Sequence, residues 1–390
     1  MLIEPSEETF DPGSVAILTP WFISQDSTAW NPKTCAWGGG ERYLIDLARL
    51  LRSKGFKVHL YQSSKKKFEV DVLGFPLRGL GTAYTGGTFE FFDSVSQEFA
   101  RSVAPQYTRA IYFNATISTA ATLNDLAITH GVWWDSHPNG IPSDALGRWR
   151  DLCFKAHTNP GIVVSVDTNS INCIRSLFGL NATERMAYIP NYADEKLYSR
   201  HRVRPLFQRS EVPRVLFPRR LVPARGVEVM LKAAESILSK VKCEVRFVGE
   251  GPAAYKNAID DLGRKFPGRV SREVLQFDGM DNEYFKADIS VVPTLSCEGT
   301  SLSLIESMAA GCCVVCSHVG GLSDLVIGGY NGIVVDPVPH RLADAIVGAL
   351  NDKEKAQTLA NTGREVFESS FTHKRWEDRW VALLRERMWL

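Results

Sequence analysis

Little in this sequence would send the chain to a membrane or to a polyelectrolyte. Its 390 residues carry 45 basic and 44 acidic side chains, a formal charge of +1, so no global field recruits nucleic acid or an acidic partner. No apolar run approaches the eighteen or so residues that a membrane-spanning helix needs. The opening stretch MLIEPSEETFDPGS is acidic and has no apolar h-region, which predicts a cytoplasmic protein. Cysteine is sparse, at eight residues, most of them in apolar strands or beside helices. That reads as free buried thiols. Cys313-Val314-Val315-Cys316 has the spacing of a dithiol, but the run is strand-like and lacks a second pair at zinc-ligand distance, so no metal is expected.

What is present is an alternation of short apolar strands with amphipathic helices. The chain is too long for one ordinary core, and two domains are expected. Val15–Pro20, Lys57–Tyr61, Ala110–Phe113, Leu126–Thr129 and Gly161–Val166 read as strands. A helix from Glu41 to Lys54 places Leu44, Leu47, Ala48 and Leu51 on one face and stops at Gly55. Strand, helix, strand is the signature of a parallel sheet, so the first half is read as doubly wound. The polar, Arg-rich run from Asp194 to Arg214 reads as a linker. A second alternation opens at Arg214–Pro218 and runs to Asp336, followed by helix from Arg341 to about Glu368 and a last helix from Lys374.

The most informative stretch is PTLSCEGTSLSLIESMAAG, from Pro293 to Gly311. The strand Ile289–Val292 enters a small-residue loop, and a helix is predicted to begin near Ser303 or Leu304. Unpaired amides and the helix dipole favour an anion at such a place. Glu298 and Glu306 bracket it with seven residues between them. One reading has these acids reach past a bound diphosphate to neutral hydroxyls. The other makes Ser303-Leu304-Ile305-Glu306 a capping box, with Glu298 resting near the helix dipole. Spacing alone leaves both open.

Other loops at strand ends carry candidates. Gly38-Gly39-Gly40 permits close approach of backbone to a ligand. His130 follows a strand, at the edge where open α/β sheets place ligands. Arg220 and Arg225 lie in a strand-to-helix loop, and guanidinium forks suit phosphate oxygens. Trp21, Trp30, Trp37, Trp133 and Trp134 lie near strand ends of the first half, where aromatic faces suit sugar rings and amphipathic acceptors. Gly249-Glu250-Gly251-Pro252-Ala253-Ala254 fits the dinucleotide pattern, although Pro252 removes an amide from the loop.

The segment from Ala287 to Pro337 resembles the donor-binding half of retaining GT-B glycosyltransferases, the glycosyl transferases group 1 type with paired glutamates. Where that family often reads Glu-Gly-Phe-Gly-Leu-Pro, this chain has Glu298-Gly299-Thr300-Ser301-Leu302-Ser303. The resemblance implies two Rossmann-like α/β domains facing across a cleft. These are residues 1–195 on the acceptor side, joined by a C-terminal helix over 373–390, and 196–372 for the nucleotide sugar. It implies a retaining transfer of sugar from a nucleoside diphosphate sugar to a hydroxyl acceptor, with no cofactor. The sequence contains no Asp-x-Asp pair, so no metal clamp is expected. In this reading Glu298 bonds the donor sugar, Glu306 the ribose, and Arg220 and Arg225 the diphosphate, with Arg225 in place of the usual lysine. Gly39, Gly40, Gly249, Thr300, Ser301 and Leu302 complete the donor site, and His130 stands on the acceptor side near the donor sugar. The acceptor is carbohydrate or lipid-linked. The short run Lys65-Lys66-Lys67 leaves a peripheral contact at the inner face of a membrane open. A competing expectation is an NAD-dependent enzyme built on Gly249 and Gly251, or a sugar-nucleotide-binding protein without turnover.

Overall fold

The computed structural model describes residues 13–23, 38–81, 88–136, 141, 143–275 and 279–390. Trp30 and Trp37 lie outside them. The first half forms an eight-stranded sheet: β1 (Ser14–Thr19), β2 (Lys57–Gln62), β3 (Lys67–Val72), β4 (Phe75–Leu80), β5 (Arg109–Tyr112), β6 (Leu126–Thr129), β7 (Ile162–Ser165) and β8 (Met186–Tyr188). Their order is β3-β4-β2-β1-β5-β6-β7-β8. All neighbours are parallel except β3 and β4, an antiparallel hairpin at the edge. Helices α1 (Gly39–Ser53), α2 (Thr88–Ser102), α3 (Leu146–Thr158) and α4 (Thr168–Phe178) lie between these strands in the chain.

The second half is a six-stranded, all-parallel sheet of β9 (Arg214–Phe217), β10 (Glu244–Val248), β11 (Val270–Glu273), β12 (Ile289–Val292), β13 (Cys313–Cys316) and β14 (Ile333–Val334). Its order, β11-β10-β9-β12-β13-β14, is the doubly wound one, with a reversal between β9 and β12. Helices α5 (Val227–Lys240), α6 (Ala253–Lys265), α7 (Met280–Lys286), α8 (Leu302–Ala309), α9 (Pro339–Asn351) and α10 (Lys353–Ser370) belong to it. Strands β12 and β13 are buried along their whole length, as expected of parallel strands covered on both faces. The Cys313–Cys316 pair is therefore core, and burial pushes both thiols up to about 12.

Three details differ from the sequence reading. The helix expected from Arg341 to Glu368 is two helices, because the Asp352 carboxylate accepts from the Lys355 amide and caps a new start. The linker is partly core: Tyr198 is buried, and Arg209 donates to the carbonyls of Ala287 (2.7 Å) and Gly311 (2.6 Å). The hairpin β3–β4 was not foreseen.

The last helix, α11 (His373–Glu386), returns to the first half. Trp376, Trp380, Leu383 and Leu384 join the core of the first sheet. Trp380 Nε1 donates to the Tyr43 hydroxyl at 3.0 Å. Burying two such indoles is worth on the order of 5 kcal/mol each before entropy is counted. Among the described residues, no helix is long and apolar enough to cross a membrane.

Candidate active site

The loops that follow β9 and β12 stand side by side at the reversal point of the second sheet, and close packing locks them together. Gly226 adopts the left-handed conformation (φ 78°), and a Cβ there would lie 2.0 Å from the Pro293 carbonyl oxygen. Nearby, the Leu295 amide donates to the Ala224 carbonyl at 2.9 Å. This carries Arg225 to the other loop, where its Nη1 donates to the carbonyls of Ser296 (3.2 Å) and Cys297 (2.8 Å) and to Glu298 Oε2 (3.1 Å).

Glu298 is buried at 7% exposure. Its Oε2 also accepts from the Thr294 hydroxyl at 2.8 Å and from Arg219 Nη2. Arg219 Nη1 donates to Ser301 Oγ at 2.8 Å. Burial lowers the Arg219 guanidinium, and the neighbouring Glu298 carboxylate opposes that shift. The Arg219 Nε is buried without an acceptor, a cost of about 1–3 kcal/mol. Arg220, which the sequence reading assigned to the diphosphate, is exposed, and its neighbour Arg219 grips the carboxylate. Adjacent residues of an extended loop point opposite ways, and composition does not tell which turns inward.

Helix α8 begins at Leu302 with Ser301 as N-cap, one or two residues before the expected start. The Ser301 side chain makes no capping bond to the helix, and Glu306 sits deeper in it, so the Ser303–Glu306 capping box does not form. Instead Glu306, 7% exposed, accepts from Arg42 Nη2 at 2.6 Å. The Tyr284 phenol lies between Glu306 and Ser303, and burial raises it well above the usual tyrosine range. The amides of Leu302 and Ser303, at the head of the helix, have no intrahelical acceptor to reach.

The first domain presses on this loop from the other side. A Cβ on Gly131 would lie 2.8 Å from the Gly299 amide, and one on Gly320 would lie 2.1 Å from the Glu298 carbonyl oxygen. The Glu298–Gly299 peptide is thus held between glycines of the two domains. Thr300 is fully buried. Its hydroxyl donates to the Val166 carbonyl (2.7 Å) and accepts from the Asn191 amide (2.9 Å). The Asn191 side chain donates to the Thr300 carbonyl at 2.5 Å. Thr300 therefore ties the domains together. Beside it, the Cys297 amide donates to Asp135 at 2.7 Å, and the Thr168 amide donates to Asp324 at 2.7 Å.

The remaining sequence candidates fall as follows. A Cβ on Gly39 would lie 2.4 Å from Leu302 Cδ1, so these two residues meet across the interface, whereas Gly40 faces open space. Gly249 lies behind the site: a Cβ there would be 2.1 Å from the Arg219 carbonyl oxygen, and Leu221 N donates to Glu250 O at 2.8 Å. The Gly249–Gly251 turn thus buttresses the Arg219 loop, and α6 starts only at Ala253. His130 Nε2–H donates to the Phe113 carbonyl at 3.0 Å, with the ring edge-on to Tyr43. Burial lowers its pKa to about 4, so the imidazole is neutral at pH 7 and keeps Nδ1 as an acceptor. Trp21 is half exposed and stacks on Phe91, while Trp133 and Trp134 meet each other edge to face.

The residues not foreseen are Arg42, Arg219, Thr294 and Asn191. For Arg42 a signal existed: it follows Gly39 by three positions and so shares that face of α1.

Residues 202–366 match the family described as Glycosyl transferases group 1. An uncharacterized glycosyltransferase of Methanocaldococcus jannaschii is 30% identical over 208 residues, 49% of this chain and 54% of that one, so the alignment spans about half of each. The GDP-mannose-dependent alpha-(1-6)-phosphatidylinositol monomannoside mannosyltransferase of Mycobacterium tuberculosis is 27% identical over 293 residues, 70% of this chain and 74% of that protein. Among solved structures, the sucrose-phosphate synthase of Thermosynechococcus elongatus superposes with a TM-score of 0.75 at 19% identity, covering 96% of this chain and 99% of the other. That last likeness is one of fold. The chain has the two-domain GT-B fold, and residues 202–366 of it match the Glycosyl transferases group 1 family.

Proposed function

We propose that this enzyme moves a sugar from a nucleoside diphosphate sugar to a hydroxyl acceptor, retains the anomeric configuration and needs no metal ion. The observation that carries this reading is the pair of buried carboxylates, Glu298 and Glu306, on either side of the α8 start, each paired with arginine at the face where the two domains meet. A relative named for its dependence on GDP-mannose supports a nucleotide-sugar donor.

In this reading the diphosphate lies at the head of α8, where free amides and the helix dipole favour an anion. Arg225 and the exposed Arg220 stabilise the charge that develops on the leaving group, which is electrostatic transition-state stabilisation. Glu298, fixed by Arg219, Arg225 and Thr294, accepts from the donor sugar's hydroxyls. Glu306 accepts from the ribose. His130, neutral and held by its Nε2–H bond, offers Nδ1 to the sugar or the acceptor. The departing phosphate takes the acceptor's proton on the same face as the broken bond, so no protein nucleophile is needed. Carbohydrate and lipid-linked hydroxyls both remain acceptors in this proposal.

The test is a thermal-shift panel of UDP-, GDP-, ADP- and dTDP-sugars, followed by NMR of the anomeric proton of any transferred sugar, with and without EDTA. Protection by one nucleotide sugar, a retained configuration and indifference to EDTA are expected. Protection by NAD and by none of the four sugars would overturn the reading.

A further inference from the structure

Glu306 is served by a cation from the opposite domain. Its partner Arg42 lies 264 positions away in the chain, on α1 of the first domain, and the contact is 2.6 Å between side chains that are 22% and 9% exposed. The geometry follows from two helix starts that meet. Gly39, in the first turn of α1, sits against Leu302, in the first turn of α8, with no space for a Cβ between them. One turn further along each helix, the same faces present Arg42 and Glu306. The interface therefore has two layers, a packed glycine–leucine layer and an ion pair behind it.

We propose that Arg42 is a positioning residue of the donor site, supplied by the opposite domain, which holds Glu306 in place for the donor's ribose. This rests on the reading of Glu306 as the ribose acceptor. A carboxylate accepts about four hydrogen bonds and a guanidinium donates five. Arg42 on Oε1 and the Tyr284 phenol therefore leave lone pairs for a vicinal diol. A carboxylate fixed in this way meets the ribose already oriented and partly stripped of water. With the domains apart, Glu306 loses its arginine, and the ribose must compete with solvent for a mobile side chain. Donor affinity in the second domain is then linked to the approach of the first, through a pair that requires both.

The experiment is a double-variant cycle on the full chain. Arg42→Ala, Arg42→Lys, Glu306→Gln and the combined Arg42→Ala/Glu306→Gln are titrated calorimetrically with UDP, GDP, ADP and dTDP, using whichever binds the unaltered protein. Melting temperatures are recorded alongside, as is the split between donor KM and kcat. Expected are a roughly tenfold loss of affinity in Arg42→Ala, about 1.4 kcal/mol, partial recovery in Arg42→Lys, and no further loss when Arg42→Ala is added to Glu306→Gln. Donor KM should rise more than kcat falls. If Arg42→Ala melts early, Arg42→Lys and its combination with Glu306→Gln carry the same comparison. Full affinity in Glu306→Gln would overturn the ribose reading itself. Weakened binding in Glu306→Gln with full affinity in Arg42→Ala would leave that reading standing and overturn the role of Arg42. A full tenfold loss that persists on the Glu306→Gln background would also overturn it, because Arg42 would then act elsewhere on the donor.

Discussion

The two glutamates of the site are built in opposite ways. Glu298 is held by Arg219, Arg225 and Thr294, all from its own domain and from loops that adjoin at the reversal of one sheet. Glu306 is held by Arg42, from the other domain. The first carboxylate is oriented whenever the second domain is folded, whereas the second is oriented by an arginine only when the domains meet. In the proposed reading, chemistry at the sugar rests on a local, preformed cluster, and recognition of the nucleotide is tied to the meeting of the two domains.

The largest effect should come from breaking the local cluster. Arg219→Met leaves Glu298 with one arginine fewer in a buried setting, and removing one partner of a buried pair costs about 3–5 kcal/mol. Chemical denaturation should show that loss, and a smaller one in Arg42→Ala, because the Arg42 side chain is 22% exposed and water reaches the pair.

Acid should distinguish the two domains next. Burial lowers both His130 and His157, in the first domain, to about 4, against roughly 6.5 in an unfolded chain. Between those values only the unfolded chain takes up protons, so stability present above pH 6.5 is lost as the pH falls towards 4. Asp167, pushed up to about 6 by burial, acts in the opposite sense: its cost at neutral pH is relieved as it protonates below pH 6. His157→Gln should lessen the acid loss by up to about 3 kcal/mol, measured as denaturation midpoints between pH 7 and 4. A slope identical to that of the unaltered protein would show that His157 is free to protonate when folded.

Two smaller effects sharpen the contrast between chemistry and nucleotide recognition. Arg225→Ala should weaken nucleoside diphosphate binding by about 1.5–3 kcal/mol, the value of a charge-assisted contact, as read by calorimetry. Glu298→Gln should slow transfer at least about tenfold, a barrier rise of 1.4 kcal/mol or more. Its affinity for free nucleoside diphosphate should stay within about threefold. An equal loss of affinity and rate would place Glu298 on the nucleotide and dissolve the distinction from Glu306.

Much of the fold was legible because its signals are local. Apolar runs such as Ile289–Val292, alternating with amphipathic helices, are enough to specify two parallel sheets. The carboxylate pair and the small-residue loop between them were legible for the same reason, since spacing along one loop and one helix is a local quantity. The hairpin β3–β4 was missed because its edge strand β3 lacks a buried run: the side chains of Lys67, Glu69 and Asp71 are exposed. The partners of the carboxylates were not legible. Arg219 and Arg220 are equivalent in composition, and it is the tertiary structure that turns Arg219 inward to Glu298 and leaves Arg220 exposed.

By itself, then, the sequence determined the elements, their alternation and the presence of two acids beside a helix start, because propensity and periodicity act over a few residues. The tertiary structure decided what those acids touch. Thr300 bonds the two domains, Gly249 supports the Arg219 loop, and Glu306 is the partner of an arginine 264 positions away. The physical reason is that hydrogen bonds and ion pairs between buried groups depend on distances of an ångström or less. Such distances are set where two independently folded sheets meet, and no short stretch of the chain contains that information.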